Sequence, residues 1–403
     1  MVQHAAHGGI ARSTRSESAL RPLATVWISW LVLMTGANLA TPLYAVYAKR
    51  FGFSSLVLTA IFAAYALVLI PSLLLFGRVS HRFGRRPVLL TGFVAACGGL
   101  ALFAAARSTA WLFGARVLQG LAVGMISGPA TAALVEFDSR GEGRRPALLA
   151  GLAQAGGSAS GPLLAGVLAE WAFAPRQLPF LVLLGLTIAT AGVLLRLPEP
   201  AREEPEPWRI QWPRVPAEIR ADFARVSVTA TVLWASAALF LSIGPSYAGD
   251  LLGTTNLALL GALAALVLVA SSAALIVSQR LHPPPRRAEA AGLGLLVFGL
   301  VGLVVASPLG SLALLVVAGL VAGAGHGLGF LNAQDELNAI SPPERRGEVT
   351  SAFISCIYLC VALSVIASGL LDRWLSLGAA VGAVAAVLAA VAAAIALWQL
   401  RRL

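Results

Sequence analysis

The chain has 403 residues, of which 58% are hydrophobic and only 12% charged, and its formal net charge is +11. A soluble domain carries roughly 45–50% apolar and about 25% charged residues, so this composition excludes a soluble globule for want of polar surface to cover it. It leaves a polytopic membrane protein, and it turns the positive charge from a nucleic-acid signal into a topology signal, because the basic residues sit in loops between apolar runs.

Met1–Leu20 is polar, contains Arg12 and Arg15 and has no apolar core. It is therefore no cleavable signal peptide, and residues 1–21 read as a flexible cytoplasmic tail. A bilayer core needs about 20 apolar residues per helix. By that ruler the first half holds six spans, near roughly 23–47, 55–76, 87–106, 110–135, 147–169 and 178–196. The second half holds six more, near roughly 226–247, 256–280, 290–307, 311–333, 349–371 and 376–399. Backbone groups in lipid must be satisfied within the segment, so the spans are helices and the fold is all-α. The domains predicted are thus an N-terminal six-helix bundle over 22–197, a linker over 198–225 and a C-terminal six-helix bundle over 226–403.

The linker carries Pro198, Pro200, Pro205, Pro207, Pro213 and Pro216 with mixed charge, and leaves room for a short surface helix around Trp208–Trp212. Of the 29 Lys and Arg residues, only Lys49, Arg50, Arg107, Arg176 and Arg373 fall on the outer side when both termini are inside, and Arg116 lies within a span. That bias sets the orientation expected of a bacterial plasma-membrane protein. The halves also look like parallel copies about 200 residues apart. Pro42-x-Tyr44 is echoed by Pro245-x-Tyr247, Glu136 by Glu336, and Gly166-x-Leu168 by Gly369-x-Leu371. Cys97, Cys356 and Cys360 all lie inside apolar runs, with no disulfide framework and no metal pattern. No phosphate-cradling loop or catalytic cluster appears, so neither an enzyme nor a cofactor is expected.

Three local patterns carry a resemblance. The loop Gly77–Pro87 contains Gly77, His81, Arg82, Gly84, Arg85 and Arg86. Span four contains Arg116-x-x-Gln119-Gly120, and span five contains Gly157-x-x-x-Gly161-Pro162-x-x-x-Gly166. Together, on a 6+6 layout, they resemble the major facilitator superfamily: its loop between helices two and three, its R-x-x-Q-G pattern, and the antiporter signature of its drug/proton exchangers. The resemblance implies two six-helix bundles rocking about a central cavity. The family's loop has Asp where this chain has His81, which implies a weakened inner gate, with Glu136 left to pair with Arg82 or Arg85.

The remaining candidates each have two readings. Arg116 in mid-span is costly, about 2.5–3.5 kcal/mol on insertion scales. It reads either as a hydrogen-bonding anchor on neighbouring carbonyls or as a neighbour of the substrate and proton site, with Asn38 and Gln119. His326, within Gly323–Gly329 of span ten, reads as a satisfied core histidine or as the proton carrier. Gly157, Gly161 and Gly166 permit close helix approach, with Pro162 bending span five against span eight. Pro42, Tyr44, Pro245 and Tyr247 read as an outer gate or as interface anchors. Asp335 and Glu336 read as gate or interface charges at the inner end of span ten.

The function expected is secondary transport: proton-coupled export of small hydrophobic or amphipathic molecules. A metabolite or amino-acid carrier, or an uncoupled facilitator, is the alternative, and a non-transporting receptor on the same fold is the competing class. The partners expected are a small-molecule substrate, protons and the lipid bilayer, without nucleic acid, and the chain is expected to work as a monomer.

Overall fold

The computed structural model describes residues 7–76, 79, 83–138, 144–198, 213–242, 244–342 and 345–401, with side chains from Pro22 onward except those of Arg144 and Ser307. Among the described residues every regular element is a helix. Ten of them are long and apolar enough to cross a bilayer. Two more, the 28-residue Arg144–Trp171 and the 17-residue Leu178–Leu194, complete twelve membrane-length helices.

In chain order the helices are α1 (His7–Asn38), α2 (Tyr44–Phe51), α3 (Ser55–Phe76), α4 (Arg85–Ala104), α5 (Thr109–Glu136), α6 (Arg144–Trp171) and α7 (Leu178–Leu194). The second half has α8 (Arg220–Ser242), α9 (Gly244–Leu252), α10 (Leu257–Leu281), α11 (Pro285–Leu309), α12 (Leu312–Ile340), α13 (Arg346–Leu371) and α14 (Leu377–Leu400). The short helices α2 and α9 continue α1 and α8 after a break. In the first half the break follows Asn38 and passes through a 3-10 turn over Thr41–Leu43. Pro42 sits in that turn, where its missing N–H cannot extend an α-helical ladder.

Two boundaries differ from the sequence expectation. Helix α1 already begins at His7, within the stretch read as a tail. Helix α8 begins at Arg220, after a 3-10 turn over Ala217–Ile219, and so takes in the end of the stretch read as a linker. The reason for the second is chemical: Arg225 is buried and pairs with acids of the C-terminal half, which draws its turn into the bundle. The helix expected around Trp208–Trp212 lies outside the described residues.

Within the first half α1 packs on α5, α6 and α7, α4 on α5 and α7, and α3 on α5. In the second half α11 packs on α12 and α14, α10 on α12, and α8 on α12, α13 and α14. The halves meet along two seams, α6 against α10 and α3 against α13. The internal repeat appears in matching contacts. Tyr47 donates its O–H to the Phe103 carbonyl at 3.3 Å, and Tyr247 donates to the Leu303 carbonyl at 3.4 Å, each bond spanning 56 residues. The structural counterpart of Tyr247 is therefore Tyr47. The Pro-x-Tyr match had paired it with Tyr44, because a short motif cannot see the register of the contact.

Candidate functional site

Arg116 is fully buried, at 1% exposure. Its Nη1 donates to the Ala37 carbonyl at 2.6 Å and to Gln119 Oε1 at 3.0 Å. Gln119 Nε2 donates in turn to the Gly36 carbonyl at 2.8 Å. These carbonyls belong to the last turn of α1, where a helix leaves acceptors without intrahelical partners. The guanidinium also lies 4.9 Å from the ring centroids of Phe62 and Tyr65 on α3. This buried cation thus has acceptors and π-faces around it, and it ties three helices together. Gly120 lets this happen: a Cβ there would stand 2.6 Å from the Tyr65 carbonyl, so only glycine admits α3 so near α5. Asn38, the last residue of α1, is half-buried beside this clamp.

His326 stands near the middle of α12 and is buried, at 2% exposure. Its Nδ1 shares a hydrogen bond of 2.9 Å with Ser271 Oγ on α10. Trp234 on α8 meets its ring edge-on, with centroids 4.8 Å apart, and Phe330 stacks beside it at 5.8 Å. Its Nε2 is buried without a hydrogen-bond partner among the described residues. One nitrogen of this histidine is held, and the other is left open in an aromatic setting.

The glycines of α6 divide between two faces. A Cβ on Gly157 would lie 2.5 Å from the Leu31 carbonyl, and one on Gly161 would strike the Thr35 carbonyl. Both therefore serve the α1–α6 contact inside the first bundle. Gly166 faces the other way, where a Cβ would lie 2.5 Å from the Leu257 carbonyl of α10, and a Cβ on Gly261 would strike the Pro162 carbonyl. The spacing explains the split, since residues four apart share a helix face while one five further on has turned from it. Close by, Glu170 Oε2 accepts the Leu257 N–H at 2.7 Å across the seam, at the N-terminus of α10. Helix N-termini favour such an anion. Helix α6 runs unbroken through Pro162.

At the opposite end of the molecule lie the basic loops. Gly84 has φ +95° and starts α4, a conformation that only glycine adopts readily. Arg85 Nη2 pairs with Glu136 Oε1 at 2.6 Å, and Arg145 Nη1 with Asp138 Oδ1 at 3.0 Å. Arg86 flanks the first pair in sequence, while Gly77, His81 and Arg82 lie outside the described residues. In the second half Arg286 Nε meets Glu336 Oε1 at 3.3 Å, repeating the Arg85–Glu136 pair. Glu336 also pairs with Arg225, which in turn donates from Nη1 to Glu289 Oε2 at 3.0 Å. The sequence reading missed Arg225 and Glu289. The available signal was an acid flanked by alanines, Ala288-Glu289-Ala290-Ala291, at the start of an apolar run.

Of the residues expected at an outer gate, Pro42, Tyr44, Pro245 and Tyr247 are all buried. The Tyr247 hydroxyl is engaged within its own half, as described above. The Tyr44 hydroxyl is buried without a hydrogen-bond partner among the described residues.

Comparison with known proteins gives the same architecture. No curated protein sequence matches the chain. Among solved structures, it resembles the crystal structure of a point mutant of the nucleoside transporter NupG, with a TM-score of 0.72 at 13% identity, covering 94% of this chain and 99% of that one. At that identity the likeness concerns the fold. The sequence profile described as the Major Facilitator Superfamily matches residues 26–365. With twelve membrane-length helices in two matching halves and a family match over most of its length, the chain belongs to the Major Facilitator Superfamily of transporters.

Proposed function

We propose that this transporter exports small, neutral hydrophobic or amphipathic molecules in exchange for protons. It works as a monomer in a bacterial plasma membrane, with its termini and basic loops in the cytoplasm. The observation that carries this reading is the state of charge at mid-membrane. Arg116, the one arginine there among the described residues, spends its Nη1 on Ala37 and Gln119 and is flanked by two rings. Arg116 is buried at 1% exposure, and among the described residues there is no second mid-membrane cation to select an anionic cargo and no mid-membrane acid to select a cationic one. The neighbouring surfaces, Phe62, Tyr65, Trp234 and Phe330, favour an apolar or aromatic solute. His326, with one nitrogen held by Ser271 and the other open, takes and releases the coupling proton.

A neutral nucleoside, the cargo in the name of the structural neighbour, is the second reading. The observation favouring it is the aromatic pair Trp234 and Phe330 beside His326, side chains of the kind on which a planar base stacks. The deciding experiment uses purified protein in proteoliposomes with an imposed pH gradient, offered a lipophilic dye and, separately, a labelled nucleoside. Gradient-driven dye flux that loses its pH dependence in His326→Gln is the expected result. Flux of the nucleoside alone replaces the first reading with the second. Dye flux with an unchanged pH profile in the variant removes His326 from the proton step.

A further inference from the structure

We propose that Glu289 and Glu336 form a proton-binding carboxyl pair, bridged by Arg225, at the basic-loop end of the C-terminal bundle. The inference is independent of cargo and of direction of transport.

The pair sits where four helices converge. Glu289 of α11 is fully buried, at 0% exposure. Its Oε2 accepts from Arg225 Nη1 of α8 at 3.0 Å and from Gln399 Nε2 of α14 at 3.1 Å. Arg225 reaches Glu336 of α12 with its other terminal nitrogen. One guanidinium therefore serves two carboxyl groups. The shared Arg225 thus brings the carboxyls of Glu289 and Glu336 onto one guanidinium. Each keeps one oxygen, Oε1 of Glu289 and Oε2 of Glu336, with no donor among the described residues.

Two carboxylates cannot hydrogen-bond to each other, since both offer only acceptors. One proton between them changes that: it sits on one carboxyl oxygen and is donated to the other. It also settles the charge. The buried core of the cluster has one cation, Arg225, against two carboxyls, so ionising both leaves one buried negative charge uncompensated. Among the described residues Arg286 of α11, half-exposed, also reaches Glu336 Oε1 at 3.3 Å and lies 3.6 Å from the half-exposed Asp222 of α8, so its charge is shared between two acids and screened by water. Gln399 of α14 contributes no charge. A buried unpaired charge costs several kcal/mol in effective terms, whereas like carboxyls sharing a site retain one proton between them. Glu336, at 9% exposure against 0% for Glu289, is the member of the pair nearer water, and the proton enters and leaves through its carboxyl.

The first half argues against a purely architectural need for this acid. Gly92 and Gly292 occupy matching positions, each packed against the following long helix of its half, α5 or α12. Three residues before each stand Leu89 and Glu289. Leu89 is buried at 1% exposure, so an aliphatic side chain fills the same place in the same architecture. The second half carries a buried acid where packing alone is met by leucine.

The test is infrared spectroscopy of the full-length protein in lipid nanodiscs, reading the carbonyl stretch of protonated carboxylic acid. At pH 7 exposed Asp and Glu are ionised, their ordinary values being about 3.9 and 4.3. The wild type is expected to retain a protonated-carboxyl signal at pH 7 that disappears on alkalinisation. Glu289→Gln and Glu336→Gln are each expected to abolish it, while His326→Gln leaves it intact. Absence of the signal in the wild type overturns the proposal without recourse to any variant. Survival in either glutamine variant overturns it too, because one carboxyl would then hold the proton alone. As no transport is read, failure of the export reading leaves this result unaffected.

Discussion

Replacing Arg116 by alanine removes the clamp on the end of α1. The structure sets the scale. The 2.6 Å bond to the Ala37 carbonyl is charge-assisted and contributes roughly 1.5–3 kcal/mol. The flanking Phe62 and Tyr65 rings add about 2 kcal/mol in a desolvated site. The truncation therefore costs about 3.5–5 kcal/mol, with a further contribution from the cavity it leaves. Arg116→Lys recovers part of this: a lysine keeps the charge but lacks the planar guanidinium that lies against Phe62 and Tyr65. The assay is thermal unfolding of purified protein in detergent, paired with flux in proteoliposomes. Arg116→Ala is expected to insert, to melt well below the wild type and to transport nothing, with Arg116→Lys between the two. Wild-type melting in Arg116→Ala would refute the clamp. Wild-type flux in a destabilised Arg116→Ala would confine the residue to architecture and remove it from the transport cycle.

Glu170→Ala removes the acceptor for the Leu257 N–H and is expected to weaken the seam by about 1 kcal/mol, in the range of lost helix caps. A cysteine placed at Ala258 should then label faster, and an unchanged rate would deny the latch. Gly161→Val drives a side chain into the Thr35 carbonyl, and its main consequence should be loss of folded protein in a melting assay. Gly166→Val acts instead at the seam between the bundles, so it should leave folding nearer to wild type while abolishing flux; equal effects of the two substitutions would contradict the division of faces. Glu136→Gln leaves Arg85 without its anionic partner and should increase labelling at the basic-loop end, whereas unaltered labelling would make that loop a topology signal and little more.

The spans were legible because their signal is length and composition, which survive without knowledge of any contact. The family was legible because Arg116, Gln119 and the glycines of α6 act locally, within one or two turns of a helix. What the sequence could not yield was facing. Gly157, Gly161 and Gly166 form one string of letters but serve two helices, because Gly161 is four residues from Gly157 and shares its face, while Gly166 is five residues further on and has rotated away from it. Tyr247 was paired with Tyr44 by a dipeptide spacing, while the hydroxyl bonds pair it with Tyr47. Arg225 fell at the end of the predicted linker, and Glu289 just before a predicted span. Only the fold brings them together, from positions 64 residues apart. The two readings of Arg116 were open in the sequence; its carbonyl partner on α1 and its ring partners on α3 favour the anchor.

The most direct test of the account is the movement of a neutral lipophilic solute by the purified protein in sealed proteoliposomes, with internal pH recorded at the same time. The account predicts solute movement that requires the imposed proton gradient and dissipates it as cargo moves. Binding of the solute without movement, or movement indifferent to the gradient, would contradict it.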